Sequence, residues 1–236
     1  MAQALCEWGP RGIETLAPRA RVFVIVDVLS FCTAVDIAVS RGGFVIPFAA
    51  DDHKAAAKAA NAAGAVLASR RRDEPGNFSL SPASLKNMAP GTRLVLPSPN
   101  GSRLSLMGGR ATVFSGCLRN AGAVARAALS AADGGDVAVV PAGERWRSDR
   151  SLRPAIEDII GAGAILDALG LPQTPEAQVA CAAFGSARSA LDRTIRGSLS
   201  GRELMDRGFP EDIDLAIELN ASSVAPVLRD GMYTNY

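Results

Sequence analysis

Two adjacent carboxylates, Glu157 and Asp158, interrupt the otherwise apolar stretch SLRPAIEDIIGAGAILDALG at residues 151–170. Pro154 suits the opening turn of a helix, which places both acids in or near its first turn. One acidic side chain there complements the helix dipole by about 0.3–1 kcal/mol. Two in succession project roughly 100° apart, so one of them turns toward the enclosed side. An uncompensated charge there costs several kcal/mol, and a hard cation or an arginine would remove that cost. Asp27 raises the same question at the end of the apolar run VFVIV. It is either a cap for the segment SFCTAVDIAVSRGG or a catalytic group, and Ser30 is placed to cap that helix and release Asp27 for function.

Groups suited to anions stand at comparable places. In SPNGSR, Asn100 and Gly101 form a turn, and Ser102 and Arg103 supply a hydroxyl and a permanent cation beside amide groups. Such a helix start suits a phosphate, although Asn-Gly is also a frequent hairpin turn. Asn120 follows VFSGCLR, and Glu144 with Arg145 follows DVAVVPAG, again where strands should end. In doubly wound sheets ligands gather beyond such ends. The basic run at residues 70–72 reads as a solvated face. His53, the sole histidine, lies in DDHKAAAKAA, which reads as an exposed helix rather than a catalytic setting.

Absences narrow the chemistry. Leu29 stands two residues after Asp27, so the DxD pattern of acyl-phosphate phosphatases is missing. So are CxxxxxR, GxxxxGK[ST] and GxSxG. One histidine also excludes zinc sites built on several.

The elements that must position these groups follow from composition and periodicity. With 48% hydrophobic and 21% charged residues, the 236-residue chain is expected to build an ordinary folded core. A net charge of +1 gives no electrostatic reason to bind nucleic acid or an anionic membrane. No apolar run approaches the roughly 18 residues of a membrane span, and MAQALCEWGP lacks the basic start of a secretory signal; a cytoplasmic protein is expected. Cys6, Cys32, Cys117 and Cys181 show no CxxC pairing and read as free thiols.

RVFVIVDVLS, GGFVIPFAA, GTRLVLPSPNG, RATVFSGC and GGDVAVVPAG read as strands. Between them lie alanine-rich helical stretches such as DDHKAAAKAANAAG, with Asp51 as N-cap and Gly64 as stop. The alternation predicts an α/β layered fold, a largely parallel or mixed central sheet flanked by helices, with the C-terminal part mainly helical. Residues 1–236 read as a single domain, with a possible subdomain boundary near residues 171–174. Residues 70–90 read as a long loop of the kind that often serves function.

Taken in order, these segments resemble the 2-phosphosulfolactate phosphatase family, magnesium-dependent hydrolases linked to coenzyme M biosynthesis. VFVIVDVLSFCTAVDIAVSRGG is similar to the family's opening strand, Asp and helix, and RLVLPSPNGSRL to its Thr-Thr-Asn-Gly-Thr-Arg segment. SGCLRNAGAVA and AGERWRSDRSLRPAIEDIIGAGAIL match its Gly-Ser-x-x-Asn and Glu-Asp-x-x-Cys-Ala-Gly segments, and APVLRDGMY its tail. There are departures. Ser30 replaces an arginine, Leu80 an asparagine, and Ser69, Arg70 and Arg71 a Gly-Glu-Arg; Gly161 replaces the cysteine, so no nucleophilic thiol exists at that place.

The resemblance implies Mg2+-dependent hydrolysis of 2-phosphosulfolactate to sulfolactate and phosphate. It implies Asp27, Glu157 and Asp158 as catalytic and metal-holding residues. Asn100, Gly101, Ser102, Arg103, Asn120 and Arg145 would bind a small phosphorylated acid. Direct attack by water and an aspartyl-phosphate on Asp27 both remain open. A related phosphatase, or an anion-binding protein on the same scaffold, is the alternative. Alanine-rich faces would suit a homodimer.

Overall fold

Runs of Val, Ile and Phe become strands, and alanine-rich runs become the helices between them. The computed structural model describes residues 1–49, 52–70 and 77–236. The order begins β1 (Ala4–Cys6), α1 (Gly9–Leu16), β2 (Ala20–Val26), α2 (Phe31–Ser40) and β3 (Phe44–Phe48). It continues with α3 (His53–Ala63), β4 (Val66–Leu67), β5 (Arg93–Pro97), α4 (Gly101–Ser105) and β6 (Thr112–Gly116). Next come α5 (Ala121–Ala132), β7 (Asp136–Pro141) and a small hairpin of β8 (Glu144–Arg145) and β9 (Leu152–Arg153). Five helices follow: α6 (Ile156–Leu169), α7 (Pro175–Ala187), α8 (Leu191–Gly197), α9 (Leu199–Asp206) and α10 (Pro210–Ala216). β10 (Pro226–Arg229) and β11 (Met232–Asn235) complete the order.

Local rules account for several boundaries. Asp52 caps α3 by accepting from the Lys54 and Ala55 amides, and Gly64 ends it with φ +57°. Asp51, the expected cap, and Arg71 and Arg72 of the basic run lie outside the described residues. Beyond them the expected loop is anchored by a 3-10 turn at Pro82–Leu85, and Leu85 and Met88 are fully buried.

Among the described residues, nine strands form one mixed sheet in the order β1-β7-β2-β6-β10-β11-β3-β5-β4. β1, β7, β2 and β6 pair in parallel, as do β3, β5 and β4. The hairpin of β10 and β11 joins these two blocks through antiparallel pairings on both sides. The fold is therefore α/β, and the mainly helical C-terminal part also returns two strands to the middle of the sheet.

β2 lies inside the parallel block and is covered on both faces. Val22, Val24 and Val26 join one apolar cluster with α5, α6 and α7, while Phe23 and Ile25 join another with α2. A strand alternates its side chains between faces, so double burial explains the unbroken apolar run that precedes Asp27. Residues from α7 to α10 enter the first of these clusters. At Gly161 an added Cβ would stand 2.7 Å from Val28 Cγ2 and 3.0 Å from Val26 Cγ1. Glycine thus lets α6 lie close over the end of β2, which brings Glu157 and Asp158 toward Asp27.

All four cysteines are free, with Cys6, Cys32 and Cys117 buried. Among the described residues, no helix is long and apolar enough to cross a membrane.

Candidate active site

Asp27 emerges from the end of β2 and is 6% exposed. Its Oδ1 accepts from the Phe31 amide at 3.2 Å, and its Oδ2 from the Gly101 amide at 2.9 Å. Ser30 occupies the N-cap position of α2, yet its side chain makes no capping bond. Asp27 therefore serves the start of α2 itself, contrary to the expectation that Ser30 would release it. The α4 backbone must come very close for this. A Cβ at Gly101 would collide with the Phe31 ring and stand 2.8 Å from Asp27 Oδ2.

Asp158 is the second fixed carboxylate. Its Oδ1 accepts from the Val28 amide at 2.7 Å and its Oδ2 from the Gly143 amide at 2.8 Å. One side chain thereby fastens the chain leaving β2 to the chain leaving β7. Glu157 and Asp158 are both buried, at 2% and 3% exposure, whereas helix periodicity led us to expect one outward. The difference arises because α6 begins after Ala155 within the protein, packed against β2 and β7. Pro154 lies just before the helix. Among the described residues Glu157 Oε2 has no hydrogen-bond partner.

Glu144 completes the acidic group. Its Oε2 accepts from Asn100 Nδ2 at 2.9 Å, so the loop after β5 reaches across to the loop after β7. Burial, followed by the charge of Glu144, pushes the Asp27 carboxyl up to about 7, against the opposing amide bonds from Phe31 and Gly101. Burial and the charges of Asp27 and Glu157 hold Asp158 well above the usual carboxylate range. Glu144 is raised as well, by burial first and by Glu157, with the Asn100 bond opposing.

These shifts fix a pH dependence. Near pH 4 the unfolded chain loses a proton that the folded protein keeps until about pH 7 at Asp27. Stability therefore falls as pH rises through that window. In chelator, the melting temperature is expected to be lower at pH 8 than at pH 5 by roughly 5 °C or more. A profile that rises across this interval would contradict the assignment.

An orphaned buried carboxylate oxygen beside three further acids is a setting whose repulsion a hard divalent cation relieves. Among the described residues, however, no three Asp, Glu, His or Cys side chains converge as a ready-made cage. One or two of these carboxylates, with water and substrate oxygens, are the kind of shell in which a small hard cation such as magnesium would be held.

Beside this group opens a cavity of about 500 Å³. Asn100 and Glu144 form part of its wall, with Arg145, Arg147, Arg150, Arg153 and Arg207. A smaller cavity of about 190 Å³ shares Pro99, Asn100, Arg145 and Arg150 and adds Arg103. Arg145 is held in place by donating from Nη1 to the Arg150 carbonyl at 3.0 Å.

The structure thus brings Asp27, Glu157 and Asp158 together and sets Asn100 and Arg145 on the cavity walls, with Arg103 in the smaller cavity. The Gly101 amide is committed to Asp27, and Ser102 Oγ donates to the Leu96 carbonyl at 2.8 Å. Asn120 is turned to its own backbone: Oδ1 accepts from the Cys117 amide at 2.8 Å and Nδ2 donates to the Ser115 carbonyl at 3.3 Å. Four arginines and Trp146 of this cavity were not among the expected site residues. The signal available in sequence was the density of arginine in ERWRSDRSLR, immediately before α6.

Comparison with known proteins identifies the family. The family model described as 2-phosphosulpholactate phosphatase matches residues 10–231. A 2-phosphosulfolactate phosphatase of Methanothermobacter thermautotrophicus is 34% identical over 210 residues, covering 88% of this chain and 87% of that protein. A protein of Carboxydothermus hydrogenoformans described as a probable 2-phosphosulfolactate phosphatase is 28% identical over 215 residues, covering 87% of this chain and 85% of its own. With the match running from α1 to the turn between β10 and β11, across every residue of the acidic group, the chain belongs to the 2-phosphosulfolactate phosphatase family.

Proposed function

We propose that this protein is a cytoplasmic phosphoric monoester hydrolase that converts 2-phosphosulfolactate and water to sulfolactate and phosphate, with Mg2+ as cofactor. The observation that carries this reading is a buried acidic group that reaches an arginine-lined cavity through Glu144, with an unpartnered carboxylate oxygen on Glu157 within the group. Guanidinium groups along the wall, and a cation held by the acids, suit a substrate whose phosphate and further acidic groups are all anionic.

Glu157, through its unpartnered oxygen, and Asp27 would hold the cation. When bound, magnesium supplies charge neutralisation for the phosphoryl oxygens. Asp158 acts at one remove, because its two amide bonds keep the ends of β2 and β7 in register with the site. Asp27, itself oriented by two amides, positions the water that attacks phosphorus. A new P–O bond to water forms as the ester P–O bond breaks. Glu144, with a carboxyl above its ordinary range, stands on the cavity wall to return a proton to the leaving alkoxide. Asn100 holds Glu144, and Arg145 faces the spreading negative charge on the phosphoryl oxygens.

Phosphate release from 2-phosphosulfolactate and a panel of phosphorylated hydroxyacids, with Mg2+ and with chelator, tests the proposal. Metal-dependent turnover strongest on 2-phosphosulfolactate is the expected result. Preference for another ester would replace the substrate and keep the chemistry. Folded protein that releases no phosphate from any of them would sink the reading.

A further inference from the structure

We propose, resting on the reading above, that Arg153 and Arg207 form the subsite for the substrate's sulfonate, and so decide which phosphate ester the cavity accepts. Arg153 belongs to β9 and its side chain is only 8% exposed. Its Nη2 lies 3.4 Å from Glu203 Oε2 and 3.4 Å from Ser200 Oγ. Charge-assisted bonds ordinarily close to about 2.7–2.9 Å, so a buried cation is held here at long range. The Trp146 ring lies 5.8 Å from its guanidinium carbon. A guanidinium carries five N–H donors in a fixed fork, and two suffice for these contacts.

The neighbourhood fits an incoming anion of a particular kind. Glu203 is 39% exposed and can swing into water when a substrate anion takes its place at Arg153. Arg207, just past α9, is exposed and lines the same cavity, which Glu144 and Asn100 also line. In 2-phosphosulfolactate the phosphate ester and the sulfonate sit on neighbouring carbons. With the leaving oxygen of the ester at Glu144 and the phosphoryl group facing Arg145, the sulfonate on the next carbon extends further along the cavity wall. A sulfonate spreads one charge over three oxygens and is weakly hydrated, as is guanidinium compared with an ammonium. Arginine beside an indole face therefore favours it over a strongly hydrated group.

The test compares kcat/KM for 2-phosphosulfolactate and for 2-phospholactate, which lacks the sulfonate. Arg153→Gln is expected to lower the ratio of these two values by about 30- to 100-fold, mainly through KM for the sulfonated ester. Arg207→Gln, at an exposed position that folding does not need, should lower the ratio by about 10-fold. Arg153→Lys, which keeps the charge but not the fork, should restore part of the loss. Equal losses on both esters would make Arg153 a structural residue and overturn the assignment, as would an unchanged ratio in both glutamine variants. If the wild-type protein hydrolyses neither ester, the functional reading falls and this proposal with it. If it hydrolyses them without preferring the sulfonated one, only the subsite is wrong.

Discussion

Glu157→Gln is expected to lower phosphate release by about 100- to 1,000-fold while raising the melting temperature. The two effects share one cause. Glu157 Oε2 is buried with no hydrogen-bond partner among the described residues, close enough to Asp27, Asp158 and Glu144 for its charge to raise all three carboxyls. Replacing it by an amide of nearly the same shape removes one acid from a buried group in which Asp27, Asp158 and Glu144 are each raised by an acidic neighbour. It also supplies an N–H donor to a crowd of acceptors. A gain of roughly 3 °C or more in chelator is expected. On the proposed function, the same substitution also takes away an oxygen ligand for the cation, whose stabilisation of the phosphoryl group would be worth several kcal/mol. Thermal melts with and without Mg2+ should show the wild type gaining stability from the metal and the variant gaining much less. Full activity in Glu157→Gln would reduce the residue to a helix-start acid and remove it from the site.

Its neighbour should behave in the opposite way. Asp158→Ala is expected to destabilise the protein by about 2–6 kcal/mol, because the Val28 and Gly143 amides would both lose their acceptor inside the protein and each orphaned donor costs about 1–3 kcal/mol. The melting temperature should drop by roughly 5 °C or more. Asp158→Asn keeps one acceptor oxygen and should fall between the two. A melting temperature within 1 °C or so of wild type in Asp158→Ala would show that water or a backbone shift satisfies both amides, and would end the view of Asp158 as the tie between β2 and β7. Two side chains adjacent in sequence thus separate into one whose removal stabilises and one whose removal does not.

That separation was beyond the reach of sequence, and the reason is physical. Composition and helical spacing identify Glu157 and Asp158 as acids in an apolar helix, but not which oxygen meets an amide contributed by residue 28 or 143. The strands at β2, β3, β5, β6 and β7 were legible because each is a short run rich in aliphatic or aromatic residues. β1 has only three residues, and β10 and β11 mix Val227, Leu228 and Tyr233 with Arg229, Thr234 and Asn235. Their strand character comes from the neighbours they pair with. Asp27 was legible as a choice between cap and catalyst, and the structure gives it the cap without removing it from the acidic group. The cavity wall was the least legible part. Arg153 and Arg207 are separated by four helices, α6 to α9, and only the tertiary fold places both on one wall.

The hairpin of β10 and β11 sets a condition on assembly. Val227 pairs with Phe114 on β6 and Tyr233 with Val45 on β3, so among the described residues it is these late residues that pair the two parallel blocks into one sheet. Tyr233 is fully buried, donates to Ser105 Oγ at 2.6 Å and meets Phe31 edge to face at 6.3 Å. α4, which carries the Gly101 amide to Asp27, and α2, which Asp27 caps, are therefore both fastened by a strand that follows them by more than a hundred positions. Contacts of such long sequence separation form slowly. Until they form, β6 and β3 each present an unpaired edge open to strangers. A chain interrupted before residue 226 lacks the strands that close the sheet and the tyrosine that fastens α4 and α2 beside the acidic group.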